Sequence, residues 1–192
     1  MPERSSGRRV LASMTLVGLV AIAAGSATFG AFTSATAVSG NRFTTGTVLI
    51  SDNDLGAAML DLPSALPGSS DASCIKVTYG GTLDAEVRLY ASATGALAPH
   101  LNLTVTRGTD SSAFGTCGSF VPDPGGGVIY DGALSAFPAG WAGGVVDALS
   151  GAPEVWQTSE AHAYRFVVTL ADAAAAQGQS ASATFTWEAQ NL

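Results

Sequence analysis

The chain has 192 residues, enough for one domain plus a targeting segment and too few for two ordinary domains. Its mean hydropathy is +0.31 and 12% of its residues are charged, which excludes a disordered, solvating chain. The formal charge is −7, and without residues 1–30 five basic side chains stand against fourteen acidic ones. Such an acidic surface excludes phosphate-backbone binding to nucleic acid and electrostatic docking on an anionic bilayer.

The first element is an export signal. Arg4, Arg8 and Arg9 form a positive region, residues 10–24 are apolar, and Gly25, Ser26, Ala27, Thr28 and Gly30 are small. This reads as a signal peptide with a helical apolar centre. The competing reading is a retained membrane anchor, but an anchor needs about 20 apolar residues. Here Gly, Ser and Thr break the run sooner. No second apolar segment follows, and residues 187–192 show no anchor pattern, so the cleaved chain is expected to be free of the membrane. Residues 31–48 follow as an extended, Pro-free segment with a single charge, Arg42.

Beyond it, apolar and polar residues alternate with period two, the mark of half-buried strands. Ile75, Val77 and Tyr79 share one face, with Lys76 and Thr78 on the other. Ala85, Val87 and Leu89 alternate with Glu86, Arg88 and Tyr90. Leu101, Leu103 and Val105 alternate with Asn102, Thr104 and Thr106. Tyr164, Phe166, Val168 and Leu170 form a fourth stripe, and Phe185 and Trp187 a fifth. Shorter strands are predicted at 47–51 and 128–130. Gly80-Gly81 reads as a hairpin turn between two strands. Residues 122–127 read as a loop, 133–137 as a turn or helical turn, and 171–177 as a short Ala-rich helix. Residues 108–127 and 138–160 form long loops without a clear pattern. The expectation is an all-β chain, a jelly-roll-like β-sandwich of about seven or more strands after the signal helix. Its boundaries are 1–30 for the signal peptide, 31–48 for the extended segment and 49–192 for the sandwich.

Cys74 and Cys117 are the only cysteines. An even pair in an exported chain predicts a disulfide. It closes a loop of a little over 40 residues, worth about 3–4 kcal/mol in the chain-entropy model.

Catalytic motifs are missing. His100 and His162 are the only histidines, no HExxH occurs, and no GxSxG marks a nucleophile. The expectation is therefore no catalytic residue, no metal site and no cofactor. Glu160 and His162 read as two solvated residues before a strand. Asp52-Asn53-Asp54 lacks the Gly and distant Glu of a calcium loop and reads as a turn. Asn102-Leu103-Thr104 matches a glycosylation sequon in mid-strand. Trp141, Trp156 and Tyr130 are candidates for a sugar-stacking surface, or for caps on the core.

Two motifs carry a family resemblance. Gly25 and Thr28-Phe29-Gly30-Ala31-Phe32 are followed ten residues later by Asn41, Phe43, Gly46 and Thr47. This resembles the leader and mature start of the TasA/camelysin family, whose precursors are cut by a SipW-type signal peptidase. The stretch Ser182–Gln190 resembles the family's closing strand, and residues 74–106 resemble its actinobacterial branch. The resemblance implies cleavage after Gly30, with Thr28 at position −3 and Ala31 as the new N-terminus. It implies a secreted jelly-roll subunit of extracellular, biofilm-matrix fibres, in which one copy donates its N-terminal strand to the next. The donor residues would be Phe32, Asn41, Phe43, Gly46 and Thr47. The partners are then a second copy and, during export, the signal peptidase. The alternatives are a camelysin-like metallopeptidase, for which the chain offers no zinc motif, and a monomeric secreted module that binds carbohydrate or protein.

Overall fold

Period-two alternation sends every second side chain to the same face of a strand, and the longest elements form where that alternation is cleanest. The computed structural model describes residues 33–35, 46–146 and 153–192. Among these are eleven strands: β1 (Thr33–Ala35), β2 (Ile50–Asp52), β3 (Ser70–Tyr79), β4 (Ala85–Thr94), β5 (Leu101–Thr109), β6 (Val121–Pro122), β7 (Val128–Ala133), β8 (Val145–Val146), β9 (Val155–Trp156), β10 (Ala161–Leu170) and β11 (Ser182–Asn191). The expected signal helix and the cut site lie outside the described residues.

The strands build two antiparallel sheets. One has the order β1-β11-β4-β8, with β9 also on β4; the other runs β2-β3-β10-β5-β6, with β7 also on β5. The pairings nest: β1 with β11, β3 with β10, β4 with β8 and β9, β5 with β6 and β7. A chain folded back on itself in this way and then wrapped into two sheets is a jelly roll, so the expected fold is present.

The core lies between the sheets. Val77, Tyr79, Leu103, Val105 and Phe166 from one sheet meet Val87, Leu89, Trp187 and Ala189 from the other, all buried. Aromatic rings join the two layers. Phe166 lies 4.8 Å from Phe185 and 5.8 Å from Trp187 between centroids, in edge-to-face arrangements. Fully burying one such ring contributes about 1.5–3 kcal/mol.

Three expectations need correction. Gly80-Gly81 does not turn a hairpin, because β3 and β4 belong to different sheets. The chain crosses the end of the sandwich there, and the Tyr79 hydroxyl donates to the Leu83 carbonyl (2.5 Å) to hold the corner. A Cβ at Gly81 would collide with the Tyr79 ring and the Thr47 carbonyl, so the glycine answers a close approach rather than a hairpin dihedral. Thr106, expected on the outer face, is buried, because the end of β5 is covered by the loops described below. Residues 171–177 hold only one 3-10 turn, Ala174–Ala176. At 133–137, where turn and helical turn were both open, a 3-10 turn spans Leu134–Ala136.

Candidate functional site

Two places are built for more than packing. The first is the outer edge of β11. On its inner side all ten residues pair with β4, from Ser182 opposite Thr94 to Asn191 opposite Ala85. On its outer side β1 covers three: Thr33 faces Gln190, Ser34 faces Ala189 and Ala35 faces Glu188. Among the described residues no strand pairs with the outer edge of residues 182–186. An edge of that kind is a template for another chain. Glu188, at the covered end, accepts from the Tyr90 hydroxyl (2.8 Å) and from Gln190 Nε2 (3.0 Å). Burial, that hydrogen bond and the Glu188 charge push Tyr90 up to about 12.

The predicted donor and cleavage residues divide. Thr28, Gly30, Ala31, Phe32, Asn41 and Phe43 lie outside the described residues. Gly46 and Thr47 are engaged by their own domain. Gly46 has a φ of +43°, and a Cβ there would press on Leu83. Thr47 receives a hydrogen bond from Thr82 N at its carbonyl (2.7 Å) and donates its own N–H to Thr82 Oγ1 (3.0 Å).

Cys74 and Cys117 are joined, with 5.3 Å between Cα atoms. The bond pins the loop after β5 to β3, and Gly115 N donates to the Cys74 carbonyl (3.0 Å) beside it. Asp110 organises the same loop, accepting from Ser119 Oγ (2.5 Å) and Ser112 N (2.8 Å). Burial acts to raise its carboxyl, but the hydrogen bonds from Ser119, Ser112 and Ser111 outweigh it and hold the group low. A disulfide belongs to a non-cytoplasmic, oxidising compartment. Among the described residues no helix is long and apolar enough to cross a membrane.

The second place is a charged cluster at one end of the sandwich. The β5–β7 pairing slips between Val105 and Thr106. The extra residue, Ile129, stands on β7, while β5 keeps an unbroken register with β10. Beyond the slip Thr106, Arg107 and Gly108 are all buried, and the alternation stops. Arg107, 4% exposed, gathers both long loops. Its Nε meets Asp123 Oδ2 (3.0 Å), its Nη1 bonds Glu154 Oε2, and its Nη2 lies 3.1 and 3.3 Å from the two ring nitrogens of His162. Its backbone takes part as well: Arg107 N donates to the Gly127 carbonyl (2.7 Å) and Asp123 N donates to the Arg107 carbonyl (3.1 Å). Gly127 has a φ of +64° and stands where a Cβ would strike that carbonyl.

His162 opens β10. Its Nε2 is 3.0 Å from Glu160 Oε1 and 3.8 Å from Glu154 Oε2, and its ring meets the buried Trp156 edge-on at 4.6 Å. Glu160 is fixed in turn, with Oε2 accepting from Gln157 N (2.8 Å) and its backbone carbonyl from Tyr79 N (2.8 Å). Glu160 and His162 are therefore not the solvated pair expected: their side chains are 23% and 13% exposed and bonded to each other. Ligand atoms of Glu154, Glu160 and His162 lie within 4.8 Å of one another. Reading the sequence missed Arg107, Asp123 and Glu154. The available signal was a charged residue in an otherwise apolar register at 105–108, with Glu-x-His at the head of a strand.

The remaining candidates are structural. Asp52 ends β2 and the chain bends and turns over residues 53–56, with Asp54 N donating to Asp52 Oδ1 (3.2 Å) and Gly56 N to Asp54 Oδ1 (2.7 Å). Asp131 accepts from Thr104 Oγ1 (3.2 Å). The three loop aromatics form no common platform. Trp156 is wholly buried, Tyr130 packs on Phe137 at 4.5 Å, and Trp141 lies under the Arg88 guanidinium at 4.9 Å.

Compared with known proteins, the chain matches no family model and no curated sequence.

Proposed function

We propose that this protein is a secreted structural subunit of an extracellular or cell-surface fibre, as its resemblance to the TasA/camelysin family implies. One observation carries the reading: β11 offers a ten-residue edge of which β1 covers three positions. Residues 33–35 pair with that edge in antiparallel fashion, Thr33 opposite Gln190, which supports the reading. Continued in the same register, the N-terminal segment brings Asn41 opposite Ser182. A second copy offers the same edge, and exchange of the segment between copies replaces an intramolecular pairing with an equivalent intermolecular one. Main-chain hydrogen bonds supply the affinity in such strand addition. The contact is head-to-tail, so it propagates unless the rotation closes a ring. The donated stretch ends before Gly46 and Thr47, which their own domain holds.

On this reading the signal peptide is removed by a SipW-type peptidase, which frees Ala31 and delays assembly until export. N-terminal sequencing of the secreted protein is then expected to give Ala31-Phe32-Thr33. The protein is not an enzyme and acts as a building unit. Deleting residues 31–45 from the mature protein tests the reading. Negative-stain images are expected to show filaments for the intact protein and none for the truncated one. Filaments that survive the deletion, or an intact protein that stays monomeric at high concentration, contradict it.

A further inference from the structure

We propose that Glu154, Glu160 and His162 form a binding site for a divalent cation of the zinc class at the charged end of the sandwich. The inference does not depend on fibre formation. It starts from convergence: one imidazole nitrogen and two carboxylates lie with their ligand atoms within 4.8 Å of one another. His162 Nε2 is 3.0 Å from Glu160 Oε1 and 3.8 Å from Glu154 Oε2. First-row ions bind imidazole and carboxylate oxygen at about 2.0–2.2 Å, so an ion placed among three such atoms holds them at about this mutual spacing.

The site is also held ready. Glu160 is anchored through its second oxygen by Gln157 N, which leaves Oε1 toward the histidine. Glu154 is oriented by Arg107, and Arg107 by Asp123 and β5. Groups that orient ligands in this way are characteristic of metal sites. Charge points the same way. Asp123 and Glu154 pair with the buried guanidinium of Arg107, and a third carboxylate, Glu160, pairs with His162 beside it, all with side chains 15–35% exposed. With the imidazole neutral this leaves an excess of two negative charges in a half-buried place, which one divalent cation balances. An independent observation adds to these. The indole Nε1–H of Trp156, whose ring packs on His162, is buried with no acceptor among the described residues. A water carried by a bound ion is an acceptor of the kind that donor lacks.

The donor set selects the ion. Calcium asks for six to eight oxygen ligands, and magnesium keeps most of its waters, whereas an imidazole with two carboxylates suits zinc and its neighbours. Bound there, the ion ties the loop before β9 to the first residues of β10.

The test uses the secreted mature protein and zinc chloride alone, by calorimetric titration, with cobalt(II) absorption as a second readout. One zinc per chain is expected, together with the visible bands of a low-symmetry cobalt site. Zinc is expected to raise the melting temperature through linkage. Glu160→Gln keeps the shape and the Gln157 contact and is expected to weaken binding at least about tenfold; His162→Gln is expected to do the same. His100→Gln, at the only other histidine, should leave binding unchanged. Far-UV circular dichroism and zinc-free melting curves establish that each variant is folded. Should Glu160→Gln fail to fold, Glu154→Gln takes its place. The proposal is overturned by an absence of stoichiometric zinc binding, or by binding that persists undiminished in folded Glu160→Gln and His162→Gln.

Discussion

The long strands and the two long loops of this molecule obey different rules. In β4, and in β3, β10 and β11 apart from Cys74, Ala163 and Glu188, the burial of a residue follows from its parity, because a pleated strand between solvent and core has one wet and one dry face. In the loops at 108–127 and 138–160 parity means nothing, yet they carry Arg107's partners Asp123 and Glu154, the buried Trp156 and the disulfide partner Cys117. The strands are stabilised by many equivalent apolar contacts. The loops hang on a few unlike ones: an ion network, one covalent bond and one indole. A loss in the strands is therefore expected to be absorbed locally, whereas a loss at a loop anchor is expected to free a whole segment.

The largest effect is expected at the loop network. Replacing Arg107 by Met leaves Asp123 and Glu154 half-buried without their cation, and breaking one partner of such a set costs about 3–5 kcal/mol. Urea denaturation measures it. A loss below about 1 kcal/mol would show that the network only decorates the loops. Trp156→Ala and Phe166→Ala sharpen the same contrast, because one lies at a loop end and the other in mid-strand. Both rings are fully buried, and both truncations are expected to cost about 3–5 kcal/mol. Proteolysis should tell them apart, with new cleavage in 153–160 for Trp156→Ala alone. Next comes the disulfide. Cys74→Ser with Cys117→Ser opens a link across 43 positions and is expected to cost about 3–4 kcal/mol, with cleavage appearing in 110–120. The smallest effect is expected on a strand surface. Arg88 and Glu86 pair at 2.5 Å on β4 while partly exposed, and a double-mutant cycle should give less than about 1 kcal/mol.

A pH titration separates the regions without mutation. Tyr90 lies on β4 and titrates near 12 in the folded chain, above the unperturbed tyrosine value of about 10. The folded state therefore holds this proton longer than the unfolded one. Its contribution is complete below pH 10 and is lost as pH rises from there through 12. Burial raises Tyr79 and Tyr130 as well, so tyrosinate absorption should lose one late-titrating group, and not all of them, in Tyr90→Phe.

How much of this was legible follows from the same contrast. The core stripes of Ile75, Val77 and Tyr79 and of Tyr164, Phe166 and Val168 were readable, because a local period reports burial directly. The disulfide was readable because a chain with two cysteines has one way to pair them. The β-sandwich class followed from the number of short strands and the long loops between them. The Gly80-Gly81 crossing was not readable: two adjacent strands with a glycine turn look alike whether they pair or change sheets. The charged cluster was hidden for a different reason. Its members stand at 107, 123, 154, 160 and 162, and only the course of both loops brings them together. Within that set Glu160-x-His162 alone had a local signature, and two residues of one strand edge look the same wet or dry.

The central claim is that the outer edge of β11 receives the N-terminal strand of another copy. The observed register names the test, since Thr33 stands opposite Gln190. Thr33→Cys and Gln190→Cys are made in separate mature proteins, mixed in equal amounts under assembly conditions and oxidised. The account predicts a cross-linked species containing one chain of each, absent when either variant is oxidised alone. If the mixture gives no such product, while a chain carrying both cysteines closes the bond within itself, the segment is an ordinary first strand of its own domain and the claim is wrong.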